Sequence, residues 1–175
     1  MSTPTGSDQS RTGRNLPLAT LVGVVLFAVF ALSIWFKPLL FALLVAVVML
    51  LAVAELTRAI APELTPNLRK LLLALTPSLI LSAYLGGPVW LLGCWPVAVG
   101  AVLVTRLFEG QQDYLKSVTK SIFILGYGPL LASFAALLAA QEDGRNKVIA
   151  LVLLTIGSDI GGYFVGTFFG KHPLA

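Results

Sequence analysis

Asp159 is the residue whose type and place ask for chemistry. The chain of 175 residues carries eight acids. Seven of them (Asp8, Glu55, Glu63, Glu109, Asp113, Glu142 and Asp143) lie outside the long apolar runs or at their ends. Asp159 alone interrupts an apolar run near its middle, in 148–169. A carboxylate at the centre of a membrane helix costs about 2.5–3.5 kcal/mol on insertion scales. A protein partner, a water-filled cavity or a metal ion can offset that cost. The plain structural account is an interhelical hydrogen bond or a protonated acid. At 3.6 residues per turn, Gly166 lies about 20° short of two turns beyond Asp159, and Gly170 about 20° past three. Thr155 and Tyr163, four residues to either side, fall about 40° away. Thr155, Asp159, Tyr163, Gly166 and Gly170 therefore share one stripe, with a carboxylate, a hydroxyl and a phenol beside glycines.

The glycines have a plain reading too. Gly157 with Gly161, and Gly162 with Gly166 and Gly170, repeat at four-residue spacing, which favours close helix packing. Beside Asp159 they would also admit a bulky polar ligand to the helix. Lys171 suits a helix C-terminus and a topology signal, and would alternatively contact a phosphate. His172 is the only histidine and has no partner at metal-ligand spacing. No G-x-S-x-G, H-E-x-x-H or Walker A pattern occurs. Ser158 and Asp159 are neighbours in sequence and do not face each other on a helix. Glu55 reads as the solvated end of a span.

Elements able to position such a stripe must lie in lipid. Of the residues, 57% are hydrophobic and 11% charged, against about 45–50% and 25% in soluble domains. Mean hydropathy is +0.91 and the pI about 9.5. These values exclude a soluble enzyme, a disordered chain, a coiled coil and a nucleic-acid module. The single cysteine, Cys94, cannot close an internal disulfide. Six apolar runs are candidate spans: 16–36, 39–54, 71–85, 88–105, 121–140 and 148–169. The expected fold is an all-α polytopic membrane bundle of about six helices, over 16–175, after a disordered cytoplasmic tail at 1–15. Gly86-Gly87-Pro88 predicts a tight turn between two spans. Residues 106–120 predict an interfacial amphipathic segment. Trp35, Trp90 and Trp95 fit an aromatic belt. With the N-terminus inside, nine of the twelve Lys and Arg residues fall on the cytoplasmic side, and Lys37, Arg145 and Lys147 fall outside.

The segment Ser158-Asp159-Ile160-Gly161-Gly162-Tyr163-Phe164-Val165-Gly166-Thr167-Phe168-Phe169-Gly170-Lys171 resembles the phosphatidate cytidylyltransferases, or CDP-diacylglycerol synthases. Their pattern there is similar to S-D-[TS]-G-A-Y-x-x-G-[RK]-x-[FL]-G-[KR]. Gly162 stands for the usual Ala, and Thr167 for a basic residue, so that position lacks the charge the family would bring to a phosphate. Tyr127-Gly128-Pro129-Leu130-Leu131-Ala132-Ser133-Phe134, Glu142-Asp143-Gly144 and Glu55-Leu56 are also similar to family segments. The family pattern continues into a Lys/Asp-rich signature that this chain does not contain, so the chain is expected to be an N-terminal fragment, itself inactive.

The resemblance implies nucleotidyl transfer from CTP to phosphatidate in phospholipid biosynthesis, with Mg²⁺ as cofactor. It implies Asp159 as catalytic and metal residue, and Tyr163, Gly166 and Lys171 at the substrate. Expected partners are CTP, phosphatidate and membrane lipid, with no nucleic acid and a homodimer left open. The expected location is a bacterial inner or plasma membrane, multi-pass, with both ends of the chain cytoplasmic. The competing readings are a transporter with Asp159 as an ion or proton site, and a structural membrane subunit packed on its glycines.

Overall fold

The computed structural model describes residues 16–110 and 113–169. In chain order they form α1 Leu16–Phe36, α2 Pro38–Ile60, α3 Pro66–Phe108, α4 Tyr114–Leu125, a π-helical turn Gly126–Leu130, α5 Leu131–Ala139 and α6 Gly144–Phe169. No strand occurs among the described residues. Pro38–Ile60, Pro66–Phe108, Tyr114–Ala139 and Gly144–Phe168 are each long and apolar enough to cross a membrane, and Leu21–Phe36 is a shorter apolar helix. The all-α membrane fold is as expected. The helix count departs from six, chiefly because two expected spans belong to one element.

That element is α3. Its 43 residues would extend about 65 Å as a straight helix, roughly twice the hydrocarbon thickness. It does not run straight. Gly87 adopts φ 66° and ψ −160°, a non-helical pair inside the helix. Only glycine takes that region readily, because other residues place a Cβ against the backbone. The two ends of α3 then meet. Thr65, its N-cap, donates from Oγ1 to Glu109 Oε2 at 2.6 Å, across 44 residues. The arms on either side of Gly87 are therefore antiparallel, and they correspond to the expected spans 71–85 and 88–105. The predicted glycine turn is the bend between them. A Cβ at Gly86 would run into the Trp90 indole, so that position also has no room for a side chain.

Helix limits follow local chemistry. Lys37 is extended and Pro38 opens α2, where its missing N–H costs nothing. Thr65 Oγ1 accepts from the Leu68 amide at 3.3 Å and so caps α3, with Pro66 at its first turn. Two expected boundaries are corrected. The second span does not end at Glu55: Leu56, Thr57 and Arg58 continue α2 to Ile60. The segment 106–120 is not one continuous element, because α3 reaches Phe108 and α4 begins at Tyr114. Only a short connection remains, with positive φ at Gly110 and Asp113.

Apolar burial ties the bundle together. Leu68, Leu72 and Leu79 of one α3 arm and Leu91 and Val102 of the other are buried with Val53 of α2 and with Ile124 and Leu125 of α4. A smaller cluster joins Ile34 of α1, Phe41 of α2, Ala139 of α5 and Val148 of α6. Polar ties mark the two ends of the bundle. At one end, Lys120 Nζ donates to Glu63 Oε1 at 2.6 Å. At the other, Arg145 Nη2 donates to the Trp35 carbonyl at 2.8 Å, with its guanidinium 4.8 Å from the indole centroid. The expected tail at 1–15 lies outside the described residues.

Candidate functional site

The predicted stripe lies on α6. Gly144 starts this helix, since a Cβ there would run into the Ala139 carbonyl. Arg145 then ties it to Trp35, and Val148 and Val152 fill the space beside Ile34, Phe41 and Ala139. A small apolar groove of about 260 Å³ separates α6 from α1, lined by Phe27, Phe30, Ile34, Ile149 and Ile156 among others. Beyond Val152 every described residue up to Phe168 is exposed.

Asp159 therefore stands on a continuous helix ten residues before its end, about 15 Å along the axis. It is exposed, and no hydrogen bond or ion pair joins it to another described residue. Tyr163 is 73% exposed and meets the Phe164 ring edge-on at 6.3 Å. Gly166 is open, with no atom within 4 Å of the place a Cβ would occupy. The same holds at Gly157, Gly161 and Gly162. Thr155 donates its hydroxyl to the Leu151 carbonyl at 2.9 Å, so only its oxygen lone pairs face outward. Lys171, with Gly170 and His172, lies outside the described residues. The structure thus keeps Asp159, Tyr163 and Gly166 together by helical register alone. Neither reading of the glycines finds its partner among the described residues.

A metal requires more than this stripe offers. No group of three His, Cys, Asp or Glu side chains converges among the described residues. Asp159 can furnish a single carboxylate. That fits a hard cation such as Mg²⁺, which takes one or two carboxylates and completes its shell from waters and substrate phosphates.

A second constellation joins two segments that the sequence left separate. Glu55, Leu56, Tyr127 and Gly128 are far apart in the chain yet line one groove of about 610 Å³, with Met49, Ala52, Ala59, Leu131 and Ala132. The π turn makes this possible. Pro129 has no N–H to give to the helical ladder, and the extra residue of a π turn absorbs that break. Gly126 lets Trp95 approach, its Cβ position lying 3.4 Å from the indole, and Gly128 faces Met49. Tyr127 is thereby turned outward, its ring stacked on Phe123 at 5.5 Å. The signal was present in Gly-x-Gly-Pro within an apolar run, which marks a helix irregularity.

Charge is concentrated at the end of the bundle that carries the 61–65 loop. Glu63 is held below the usual carboxylate range, first by the hydrogen bond from Lys120. Lys116 adds a weaker contact at 3.9 Å.

Comparisons with known proteins extend these observations. The profile of the cytidylyltransferase family matches residues 18–175. A phosphatidate cytidylyltransferase of Mycobacterium leprae is 33% identical over 195 aligned positions, covering 94% of this chain and 58% of that protein. One from Mycobacterium bovis is 32% identical, covering 96% of this chain and 59% of the relative. One from Mycobacterium tuberculosis is 32% identical and covers 96% and 55%. The chain thus spans a little over half the length of these relatives. No solved structure matches it.

Proposed function

The chain belongs to the cytidylyltransferase family, and from that premise we propose that the whole protein transfers a cytidylyl group from CTP to phosphatidate. A phosphate oxygen of phosphatidate attacks the α-phosphorus of CTP. The bond from that phosphorus to the oxygen bridging to the β-phosphorus breaks, and pyrophosphate leaves with the electron pair. The product is CDP-diacylglycerol. The observation that carries the reading is the family match along 18–175, which includes the stripe around Asp159. The helices agree with it, since phosphatidate is a membrane lipid and several elements are long enough to reach it.

In this reading Asp159 is the chain's own acid at the reacting phosphates. Mg²⁺ bound there would neutralise triphosphate charge. Tyr163 offers a phenol four residues on, and Gly166 leaves the helix surface bare where a bulky headgroup must approach. Lys171 contributes a cation at the substrate. CTP reaches the site from the cytoplasm, which requires the N-terminus and the end of α6 on that side. The nine-to-three distribution of basic residues supports this orientation in a bacterial inner or plasma membrane. A homodimer remains compatible with it. The transporter reading is less favoured, because the matching family and the similar relatives are cytidylyltransferases.

The test uses the full-length protein in mixed micelles with phosphatidate and labelled CTP. Asp159→Asn keeps the side-chain size and removes the charge. Turnover should fall at least about tenfold, the low end for groups that support a metal. Gly166→Leu should lower turnover while the protein still accumulates in the membrane. Wild-type protein without CTP-dependent product would refute the function. Near-normal turnover of Asp159→Asn at limiting Mg²⁺ would remove Asp159 from it.

A further inference from the structure

The groove between α2 and the π turn is not used by the reaction above. It has an apolar floor, Met49, Ala52, Leu56, Leu131 and Ala132, and two polar lining residues, Glu55 and Tyr127. The one charged residue among the described lining residues is Glu55, and neither phosphatidate nor CTP carries a cation to meet its carboxylate. Glu55 lies five residues before the end of α2, about 7.5 Å along the axis. Met49 lies about 9 Å deeper on the same helix. The groove therefore runs from an interfacial carboxylate into the apolar depth of a helix long enough to cross a membrane.

Arg58 follows Glu55 by three residues, on the neighbouring flank of α2 and towards its end. Both side chains are exposed, and they do not pair with each other. Neither has a hydrogen-bond or ion-pair partner among the described residues. A carboxylate, a guanidinium and an aromatic ring above an apolar floor form a charge pattern with a definite complement. The complement carries a cation, then an anion, then a hydrocarbon chain.

We propose that Glu55, Arg58 and Tyr127 form a headgroup site for a zwitterionic phospholipid with a primary ammonium, whose acyl chain lies along Met49, Ala52 and Leu56. The ammonium donates to the Glu55 carboxylate and lies beside the electron-rich Tyr127 ring. The phosphodiester meets the Arg58 guanidinium. A primary ammonium is specified because a quaternary one has no N–H to donate to Glu55.

Native mass spectrometry of the full-length protein tests this with phosphatidylethanolamine and phosphatidylcholine of identical acyl chains. The two lipids share their net charge and phosphodiester and differ in the N–H donors. Phosphatidylethanolamine should be bound about threefold or more over phosphatidylcholine, the scale of exposed ion pairs. Glu55→Gln should bring that ratio to about one. Arg58→Gln should weaken both lipids alike and leave the ratio unchanged. Unchanged melting temperatures of both variants would show that folding is intact. Equal binding of the two lipids by the wild type would overturn the proposal. So would a preference that survives Glu55→Gln, or a groove covered by further chain so that neither variant alters lipid binding. CTP turnover is not the readout, so failure of the catalytic reading leaves this result standing.

Discussion

Replacing Gly87 by alanine should separate backbone strain from side-chain crowding. The space is free: a Cβ at Gly87 would meet no atom within 4 Å. The only obstacle is the conformation, φ 66° with ψ −160°. Residues forced into such sparsely populated regions cost about 1–3 kcal/mol. Gly93, in the second arm of α3, supplies the control. It also has nothing within 4 Å, and its backbone is helical. Gly93→Ala should be neutral or stabilising by up to about 1 kcal/mol, since alanine loses less chain entropy in a helix. The two variants should therefore differ by about 1–4 kcal/mol in reversible unfolding in mild detergent. A second readout follows the hairpin directly. A cysteine pair at Thr65 and Glu109, whose side chains touch at 2.6 Å, should crosslink less readily beside Gly87→Ala. Equal stabilities for the two variants would refute the hairpin as described, because a continuous helix would welcome alanine at both places.

Two further outcomes are expected. Glu63 has a folded-state pKa below its unfolded value, so its stabilisation is present above the ordinary glutamate range and is lost as pH falls through the lowered folded value. Wild-type melting temperature should therefore drop more than that of Glu63→Gln as pH is lowered below about 4.3, and parallel curves would contradict the Lys120 contact. Cysteines placed at the exposed positions Glu142 and Lys70, in a chain with Cys94 replaced, should label from opposite sides of the membrane, with Lys70→Cys cytoplasmic. Labelling of both from one side would refute the threading, and reversed labelling the orientation.

The apolar runs of this chain were legible because lipid demands continuous hydrophobicity, and each of the six appears in a helix. Gly87 was legible as a turn for the same reason, since two arms of an apolar run need a residue free to take positive φ. What escaped was the joining of those arms into one capped hairpin. Thr65 and Glu109 are too far apart in sequence for any local pattern to pair them. Glu55 was read as a helix end because a charge closes an apolar run. The helix continues because leucine, threonine and arginine carry it to Ile60 without a breaker, two residues short of Pro62. The groove at Tyr127 depends on a π turn, whose effect on direction is tertiary. Asp159 was the reverse case. Its position on a stripe followed from periodicity, but its surroundings could not, because no described helix packs against that part of α6.

The glycines of α6 can be divided by the same geometry that placed Asp159. Gly157 and Gly161 each lie about 160° from Asp159 around the helix, on its far side. Gly162 and Gly166 lie about 60° and 20° from it. Close helix packing and ligand approach therefore need not compete for one face. A neighbouring helix on the Gly157 and Gly161 side would hold α6 beyond its last anchor at Val152, which lies about 10 Å short of Asp159. A carboxylate at that distance is positioned well only if the helix is supported on both sides of it, since misplacement of about 1 Å can cost about a hundredfold in rate. The Gly162 and Gly166 side would then stay bare for the substrate. In the proposed site the first pair would serve support and the second access, so Gly157→Leu should impair accumulation in the membrane where Gly166→Leu impairs turnover.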